Sequence, residues 1–442
     1  MPPKNKHHIP FNPARWPFFY GWVIVLAAII GTIASLPGQT HGVSAFTEPL
    51  LSALSIDRTG FSLAYACGTI GSAMILTWGG RMYDKLGARA TGVLGAVCLA
   101  LVLCYLANLE HVAAALALPF KKSDSRQQLA AFCALVMGFF MLRFWGQGIL
   151  TMVSRNMLMK WFEHRRGLAN GIVGVFVPMA FSMTPLTFDQ VVQKFGWQGA
   201  WFTMGMILFG VAAFSWVFFR DNPESCGLQP DGNLTRKPGD PQHHPDRQYT
   251  LPQARRTLAF WVFTLTIALH ALYITALTLH LVSVFDSSGI GKSQAMLIFV
   301  PSTVITVCVA FPVGWISDHI RLKHLLFVLM TGMAISMVGA LYLEHPFGYA
   351  MIILGNGIAG GTFGLLMTVT WPRFYGRKHL GAISGFHMSW VVAFSAIGPF
   401  LFGLVFKYTY TYQVAVALCL VFLAALFFLS LKTADPPAAP AR

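Results

Sequence analysis

The sequence has 442 residues, of which 55% are hydrophobic and only 11% are charged. Soluble domains carry about 25% charged residues, so this deficit excludes an ordinary soluble enzyme and indicates a chain whose main solvent is lipid. The net charge of +15 does not indicate nucleic-acid binding, because the Lys and Arg residues lie between apolar runs and form no basic patch with interleaved aromatic residues.

The seven cysteines form no close pair, and all but Cys226 lie in apolar segments. This distribution argues against a disulfide framework and against a zinc site, since both need cysteines at close, regular spacing. We therefore expect buried thiols that pack as small apolar groups, and we expect no metal and no other cofactor.

The chain begins with Lys4, Lys6 and Arg15 ahead of an apolar run that starts at Phe18. A cleaved signal peptide has an apolar core of only about 7–15 residues, whereas this run continues past Leu36. We interpret it as a retained first membrane helix.

Twelve apolar runs are long enough to cross the hydrocarbon, which takes about 20 residues. In chain order these predicted spans 1 to 12 lie near residues 18–38, 59–79, 90–107, 128–153, 167–187, 198–219, 258–285, 293–316, 324–343, 347–371, 381–406 and 412–431. The fold class is therefore an all-α polytopic membrane protein.

A Pro- and Gly-rich polar stretch, including DNPESCGLQPDGNLTRKPGDPQHHPDR, separates the spans six and six. The predicted organisation is an N-terminal tail (1–17), a first six-helix bundle (18–219), a linker (220–257), a second six-helix bundle (258–431) and a C-terminal tail (432–442).

The positions of the 31 Lys and Arg residues predict the orientation. If both tails and the linker are cytoplasmic, 23 of these residues lie on the cytoplasmic side and 7 on the outer side, and Arg143 remains inside span 4. Cytoplasmic loops are enriched in Lys and Arg. We therefore expect a multi-pass protein of the cell inner (plasma) membrane with both termini in the cytoplasm.

Three sequence motifs occur twice, once in each half. GRMYDKLGAR between spans 2 and 3 matches GWISDHIRLK between spans 8 and 9; Gly-Gln-Gly at 146–148 matches Gly-Asn-Gly at 355–357; and RRGLANG matches RKHLGAISG at the starts of spans 5 and 11. Internal repeats of this kind are typical of transporters that bind substrate near the midplane, where the two halves meet.

These motifs resemble those of the major facilitator superfamily, and the resemblance extends over the whole chain. GRMYDKLGAR looks like the family's motif between spans 2 and 3, and GWISDHIRLK looks like its weaker counterpart. The resemblance implies two pseudo-symmetric six-helix bundles whose spans 1, 4, 7 and 10 line a central cavity. It also implies an inner gate formed by residues of these two motifs: Gly80, Asp84, Arg89, Gly314, Asp318 and Lys323.

Within that superfamily, FYGWVIV in span 1 and KWFEHRRGLANGIVGVF at span 5 look like the monocarboxylate and oxalate/formate porter branch, as do the glycines after Arg143. That resemblance implies a small carboxylate substrate. However, span 8 has no Arg and span 11 has no Lys before Lys407, where relatives hold cations that pair with substrate. Span 5 also lacks the GxxxGPxxGG antiporter pattern, which disfavours a drug exporter.

Arg143 is the strongest candidate for substrate binding because it lies near the middle of span 4. A central Arg costs about 2.5–3.5 kcal/mol even on the lenient insertion scale, so its charge needs a partner. All 16 acidic residues lie in loops or near the ends of spans. The partner is therefore either a substrate anion or, if Arg143 is structural, the backbone carbonyls of neighbouring helices.

Several other polar residues are candidates for the same pocket. Gln147 lies one turn beyond Arg143, and Asn356 holds the equivalent position in the second half. Pro37 and Gly38 are expected to break span 1 beside Gln39. The alternative interpretation of these amides is hydrogen bonding between helices, worth about 0.6 kcal/mol each.

Histidines are the candidate proton carriers, because no carboxylate is predicted inside a span and histidine titrates near neutral pH. His270 lies midway along span 7 with Tyr273 one turn on, His41 lies nearer the outer face, and His387 lies early in span 11. His270 and Tyr273 are also candidate substrate contacts. A packing role is the alternative for each histidine.

No HExxH, phosphate-binding Gly-Lys-Ser/Thr loop or GxSxG motif is present, so we do not expect an enzyme. The sequence favours a secondary carrier of a small organic anion, coupled to protons and working by alternating access as a monomer in the lipid bilayer. Two alternatives remain: a carrier of a larger neutral or zwitterionic metabolite such as a vitamin, with Arg143 structural, and a non-transporting sensor. A sensor would need an appended signalling domain, for which we expect no room after Leu431.

Overall fold

The computed structural model of the chain describes residues 9–117, 124–232 and 248–436, and the regular elements within these ranges are all helices. The two predicted tails and the predicted linker lie partly outside the described residues. The helices are α1 (Gly21–Ala34), α2 (Thr40–Ser44), α3 (Thr47–Leu54), α4 (Arg58–Ala107), α5 (Leu109–Ala117), α6 (Asp124–Leu142), a π-helix (Arg143–Leu150), α7 (Thr151–Trp161), α8 (Arg166–Phe218), α9 (Leu251–Ala254), α10 (Leu258–Asp286), α11 (Lys292–Leu297), α12 (Phe299–Ser317), α13 (Leu322–Leu341), α14 (Pro346–Tyr375), α15 (Leu380–Thr409) and α16 (Gln413–Leu431).

Two of the helices are too long for a single crossing of the membrane. α4 has 50 residues and α8 has 53, whereas one crossing takes about 20. Each is broken at one glycine with a left-handed backbone, Gly87 in α4 (φ +81°) and Gly196 in α8 (φ +70°). Glycine adopts this conformation without steric penalty, so the chain turns back there and each helix supplies two spans.

In the described part of the chain, nine helices are long and apolar enough to cross a membrane, and α1 is a shorter apolar helix. Because α4 and α8 supply two spans each, this matches the twelve predicted spans. In the first six spans, α1 and α2 form span 1, α4 forms spans 2 and 3, α6, the π-helix and α7 together form span 4, and α8 forms spans 5 and 6. In the last six, α10 forms span 7 and α11 and α12 form span 8. The helices α13, α14, α15 and α16 form spans 9 to 12, one each.

The described residues form two compact units. The first comprises the described part of Met1–Met157 together with Ala180–Gln229, and the second comprises Leu158–Met179 together with the described part of Pro230–Arg442. The second unit thus includes the end of α7 and the beginning of α8.

Each unit has its own core. In the first unit, Phe46 stacks on Trp201 with ring centroids 3.6 Å apart, and both side chains are fully buried. In the second unit, α13 and α14 are in backbone contact, since a Cβ added to Gly355 would lie 2.6 Å from Gly332 O. Such close approach at small residues is typical of helix packing in lipid.

Large apolar side chains also cover much of the protein surface. Val300 on α12 and Phe428 on α16 are each 66% exposed. Apolar surface on this scale would aggregate in water but is favourable against lipid tails. It supports the interpretation of these helices as membrane spans.

Candidate functional site

The predicted break in span 1 is present. α1 ends at Ala34, residues Leu36–Gly38 form a 3-10 turn, and Gln39 is extended (φ −93°, ψ 158°) before α2 begins. Pro37 has no N–H to donate to the helical hydrogen-bond pattern. Gly38 has no side chain, so the backbone of span 4 can approach it closely. The break leaves the carbonyl of Gly38 available to an outside donor.

The residues opposite this break form a π-helix, Arg143–Leu150, inside an otherwise α-helical span 4. It contains both candidate residues of that span, Arg143 and Gln147. π-helical turns are rare and are frequently found at functional sites. Gly146, in the middle of this segment, lies against Gly38.

Arg143 is only 1% exposed, and its contacts come from span 1 and span 2. Its Nη1 donates to the Gly38 carbonyl at 3.1 Å and contacts Thr40 Oγ1 at 3.4 Å. Its guanidinium carbon lies 5.3 Å from the centre of the Tyr65 ring. Among the described residues no carboxylate forms an ion pair with Arg143, and its buried Nε has no hydrogen-bond partner.

The two glutamines of the first unit differ in their surroundings. Within the described ranges, the buried Oε1 of Gln147 has no hydrogen-bond partner. Gln39 is 6% exposed, and its Nε2 donates to Ser35 Oγ (3.1 Å) and to Thr151 Oγ1 (3.2 Å). Gln39 therefore helps to hold the broken span 1 against α7, whereas Gln147 retains an unused acceptor.

Tyr273 and Asn356 of the second unit are brought together through a residue that sequence reasoning missed. Ser336 on α13 donates to Asn356 Oδ1 at 2.7 Å and lies 3.0 Å from the Tyr273 hydroxyl. Because the single Ser336 proton goes to Asn356, Tyr273 is the donor to Ser336. This chain joins α10, α13 and α14, as expected for hydrogen bonding between helices.

Each candidate histidine has its own aromatic neighbour. His270 on α10 is 4% exposed and packs on the Phe363 ring at 4.7 Å, and its buried Nδ1 has no hydrogen-bond partner in the part of the chain that the structure describes. His387 on α15 is buried against Trp371, with ring centroids 4.3 Å apart. His41, on α2 of the first unit, is exposed and lies 5.8 Å from Phe181.

Asp318, in the loop after α12, caps the beginning of α8. Its two carboxylate oxygens accept the backbone N–H groups of Gly167 (2.7 Å) and Leu168 (3.0 Å). Free N–H groups in the first turn of a helix favour a negative charge. Gly314, one turn earlier, lies against the backbone of Gly167 and Gly171.

The loop around Asp318 is also held by a cation. Arg373 donates to the carbonyls of Ser317 (2.5 Å) and Ile320 (2.7 Å). Burial raises the pKa of Asp318 to about 6, although the two N–H bonds and the nearby Arg373 and His319 act in the opposite direction. Desolvation of the carboxylate is the larger effect.

The two basic residues of the repeated loops have corresponding contacts. Arg89 donates through Nε to the Phe219 carbonyl at 3.1 Å, at the end of span 6. Lys323 donates to the carbonyls of Leu431 (2.8 Å) and Thr433 (3.1 Å), at the end of span 12. Each cation thus satisfies carbonyls at a helix C-terminus, where positive charge is favourable.

The first repeated loop contains Gly80, which is buried on α4, and Asp84, which is half-buried four residues later. At the end of this loop, the Arg89 backbone N–H donates to Asp221 Oδ1 at 3.1 Å. A Cβ added to Gly87 would overlap the Asp221 carboxylate, which places that carboxylate directly over the turn.

Comparison with known proteins identifies the fold. Residues 27–390 match the Major Facilitator Superfamily, which is well over half of the chain. The chain belongs to the major facilitator superfamily. It is therefore a multi-pass membrane transporter of small molecules and not an enzyme. No curated protein sequence shows a significant match.

Solved structures of this superfamily are similar in fold but distant in sequence. The proton:xylose symporter XylE bound to 6-bromo-6-deoxy-D-glucose is 16% identical, with a TM-score of 0.64 over 93% of this chain and 94% of that one. The E. coli fucose:proton symporter FucP is 12% identical, with a TM-score of 0.63 over 93% and 98%. The human organic anion transporter MFSD10 (TETRAN) is 13% identical, with a TM-score of 0.58 over 97% and 100%.

Two groups of contacts in this superfamily member had no clear signal in its sequence. Asp231 lies in the predicted linker, yet it is 6% exposed and accepts the consecutive backbone N–H groups of Glu163 (2.8 Å), His164 (2.8 Å) and Arg165 (3.2 Å). Its PDG context indicated only a turn. Tyr65 on α4 and Thr40 on α2, which contact Arg143, are ordinary polar residues that no sequence pattern marks as functional.

Proposed function

We propose that this protein is a secondary active transporter that carries a small organic anion, a carboxylate, across the inner membrane by alternating access. Arg143 would bind the anion, with Gln147, Gln39, His270, Tyr273 and Asn356 shaping the pocket. The gate would be formed by Gly80, Asp84, Arg89, Gly314, Asp318 and Lys323. We also propose the six-and-six division of spans, cytoplasmic termini and a monomeric carrier.

The observation that carries the substrate class is the incomplete pairing of Arg143. This buried cation has no carboxylate partner among the described residues, and only its Nη1 donates, whereas its Nε has no acceptor. A charge buried inside a membrane protein is expensive unless an opposite charge, backbone carbonyls or a ligand offsets it, and here the backbone offsets it only in part. A carboxylate would offset the rest with strong, charge-assisted hydrogen bonds.

The branch within the superfamily is part of the proposal. FYGWVIV and KWFEHRRGLANGIVGVF favour the monocarboxylate and oxalate/formate porters. The names of the structural neighbours include proton symporters and an organic anion transporter, so anion transport and proton coupling are both compatible with this fold.

A second candidate function is transport of a larger neutral or zwitterionic metabolite. It is favoured by the bond from Arg143 to the Gly38 carbonyl, which gives the cation a structural role in holding the broken span 1. The absence of Arg from span 8 and of Lys from span 11 before Lys407 favours it as well.

The first experiment compares carboxylates with their matching amides. Purified protein is titrated with acetate, succinate and benzoate, and in parallel with acetamide, succinamide and benzamide, while the melting temperature is recorded. Binding to the folded state raises the melting temperature, so at least one carboxylate should raise it and its amide should not. Stabilisation by amides alone would favour the neutral-metabolite function.

The second experiment tests Arg143 directly with the carboxylate that stabilises most. Arg143→Gln is expected to abolish transport, and Arg143→Lys to impair it strongly, because lysine cannot reproduce bidentate binding. Loss of one partner of a desolvated charge pair costs about 2–5 kcal/mol, or about thirtyfold to several thousandfold in affinity. Arg58→Gln is the control, since it removes the same charge from a side chain that is 75% exposed. Preserved affinity with a lower melting temperature would make Arg143 structural.

Proton coupling is proposed with His270 as the first candidate and His41 and His387 as the others. His270→Gln should flatten the dependence of uptake on external pH between about 5.5 and 7.5, the range in which an ordinary histidine titrates. Unchanged pH dependence would exclude His270 and leave the other two to be tested in the same way.

A further inference from the structure

Arg143 is held by three elements of the first unit at once. Its Nη1 bonds to Gly38 in the 3-10 turn and contacts Thr40 at the beginning of α2, and its guanidinium lies over the ring of Tyr65 on α4. Thr40 Oγ1 and the Tyr65 hydroxyl lie 2.9 Å apart, so these two contacts of Arg143 are joined to each other. The guanidinium is therefore held at its Nη1 by Gly38 and Thr40 and across its face by the Tyr65 ring.

The Tyr65 ring is itself fixed. It packs edge-on against Phe139 of α6, with centroids 5.2 Å apart, and the side chain as a whole is half-buried. An aromatic face attracts a cation through its quadrupole, most strongly where both groups are removed from water. Tyr65 can therefore set the position of Arg143. It does so from α4, a helix that contains none of the predicted substrate-binding residues.

The chemical nature of this contact matters for anion binding. A carboxylate beside Arg143 would neutralise its charge and occupy the N–H groups that an anion needs. An aromatic ring contacts the face of the guanidinium, while its five N–H donors lie in the plane and remain available. The Nη1 donor is used by Gly38 and Thr40, whereas the Nε donor has no partner among the residues that the structure describes.

We propose that Tyr65, aided by Thr40, is a positioning residue that holds the Arg143 guanidinium with its charge intact and its Nε edge turned to the substrate anion. The inference rests on the proposed function, since it assigns Tyr65 a role in binding through Arg143. Tyr65 need not touch the substrate. Its ring provides the orientation, and its hydroxyl couples that orientation to α2 through Thr40.

Two substitutions separate the ring from the hydroxyl. Tyr65→Phe keeps the ring and removes the bond to Thr40, so we expect affinity to fall less than threefold. Tyr65→Leu removes both, and affinity should fall about five- to thirtyfold, the range expected for a desolvated cation–π contact. The maximal transport rate of Tyr65→Leu should stay near that of the wild type at saturating substrate, because binding is altered and not the conformational change.

The probe is acetate, succinate or benzoate, whichever raises the wild-type melting temperature most, and affinity is measured by titrating that rise. Tyr105→Leu is the matched control. Tyr105 lies on the same helix α4, and its hydroxyl donates to Ala134 O on α6 at 2.9 Å, in the same packing interface but away from Arg143. This variant should lower the melting temperature without changing affinity.

The role of the guanidinium is tested in an Arg143→Lys background. The lysine ammonium can still contact the ring, but it has no planar N–H edge for Tyr65 to orient, so Tyr65→Leu should reduce affinity there by less than in the wild type. If Tyr65→Leu does not fold, Tyr65→Met replaces it, because an unbranched side chain refills most of the ring volume.

Three results would overturn the inference. The first is wild-type affinity in Tyr65→Leu while Arg143→Gln loses binding; this leaves the proposed anion transport intact and removes only Tyr65. The second is an equal loss in Tyr65→Phe and Tyr65→Leu, which would assign the effect to the hydroxyl. The third is a loss of affinity from Tyr65→Leu that is as large in the Arg143→Lys background as in the wild type. By contrast, unchanged affinity in Arg143→Gln itself would contradict the proposed function.

Discussion

Gly38 and Gly146 lie in backbone contact. A Cβ atom added to Gly146 would stand 2.8 Å from the Cα of Gly38, and one added to Gly38 would stand 2.6 Å from Leu142 O. This approach brings the broken span 1 onto the π-helix and allows the Gly38 carbonyl to reach Arg143. The candidate anion site therefore depends on two positions that carry no functional group.

Gly146→Ala is accordingly expected to reduce both stability and transport. Overpacking by one methyl group at a rigid contact costs about 1–3 kcal/mol, and any relief would move Gly38 away from Arg143. Gly210→Ala, on α8 with nothing within 4 Å of its added Cβ, is the control and should behave as the wild type. The measurements are melting temperature and initial uptake rate. If the two variants have the same melting temperature and the same uptake rate, the close approach of Gly146 to Gly38 is not needed for stability or transport.

Ser336→Ala should lower the melting temperature and weaken substrate binding, because it loosens Tyr273 and Asn356, which the proposed function places in the pocket. The variant leaves Asn356 Oδ1 without its donor and the Tyr273 hydroxyl without its acceptor. Hydrogen bonds between membrane helices are worth about 0.6 kcal/mol each, so we expect a loss of about 1 kcal/mol. Unchanged affinity with a lower melting temperature would limit Tyr273 and Asn356 to holding α10, α13 and α14 together.

Asp231→Ala should destabilise the second unit, since it leaves three consecutive N–H groups without their acceptor. Hydrogen bonds to a charged acceptor contribute about 1.5–3 kcal/mol each, and water would replace part of that, so a net loss of about 2–4 kcal/mol is expected. Asp435→Ala, at an exposed carboxylate, is the control. Equal melting temperatures for the two variants would mean that water accepts from these three N–H groups as well as Asp231 does.

Asp318 should give the melting temperature a specific dependence on pH. Its pKa is about 6 in the folded protein, above the ordinary value of 3.8. A raised pKa stabilises the fold at low pH, and this contribution is lost as pH rises from about 4 through about 6. Relative to Asp318→Asn, the wild type should thus become less stable between pH 4 and pH 7.5, by up to about 3 kcal/mol.

The neighbouring His319 acts electrostatically on the Asp318 carboxyl, so the comparison is repeated in a His319→Gln background, where the same difference should persist. If the melting temperatures of the wild type and Asp318→Asn differ by the same amount at every pH, the Asp318 carboxyl is not desolvated in the folded protein.

The orientation is tested with single cysteines in a cysteine-free background. Gln229→Cys, at an exposed position of the linker, should be protected from an impermeant thiol reagent in intact cells and react after lysis. Lys407→Cys, exposed at the end of α15, should react in intact cells. The reverse labelling pattern would invert the orientation.

The sequence predicts the spans well because each must supply enough apolar length for the bilayer, a requirement that local composition reveals. The break at Pro37 and Gly38 was also predictable, since both residues act on their own backbone. The π-helix was not, because its formation at Arg143–Leu150 depends on contacts with span 1.

The depth of Arg143 was predictable from its position in an apolar run, but its partners were not. Gly38 lies 105 residues away, and a backbone carbonyl has no sequence signature. The same holds for Ser336, a common residue in a common helix, and for Asp231, whose partners are N–H groups. The assignments of Gln39, Gln147 and the histidines to a pocket remain predictions for the experiments above.

The ties made by Arg89 and Lys323 have a consequence for biosynthesis. Arg89 can bond to Phe219 only after the sixth span has been translated, and Lys323 can bond to Leu431 and Thr433 only after the twelfth. The loops between spans 2 and 3 and between spans 8 and 9 therefore reach their final contacts late in synthesis.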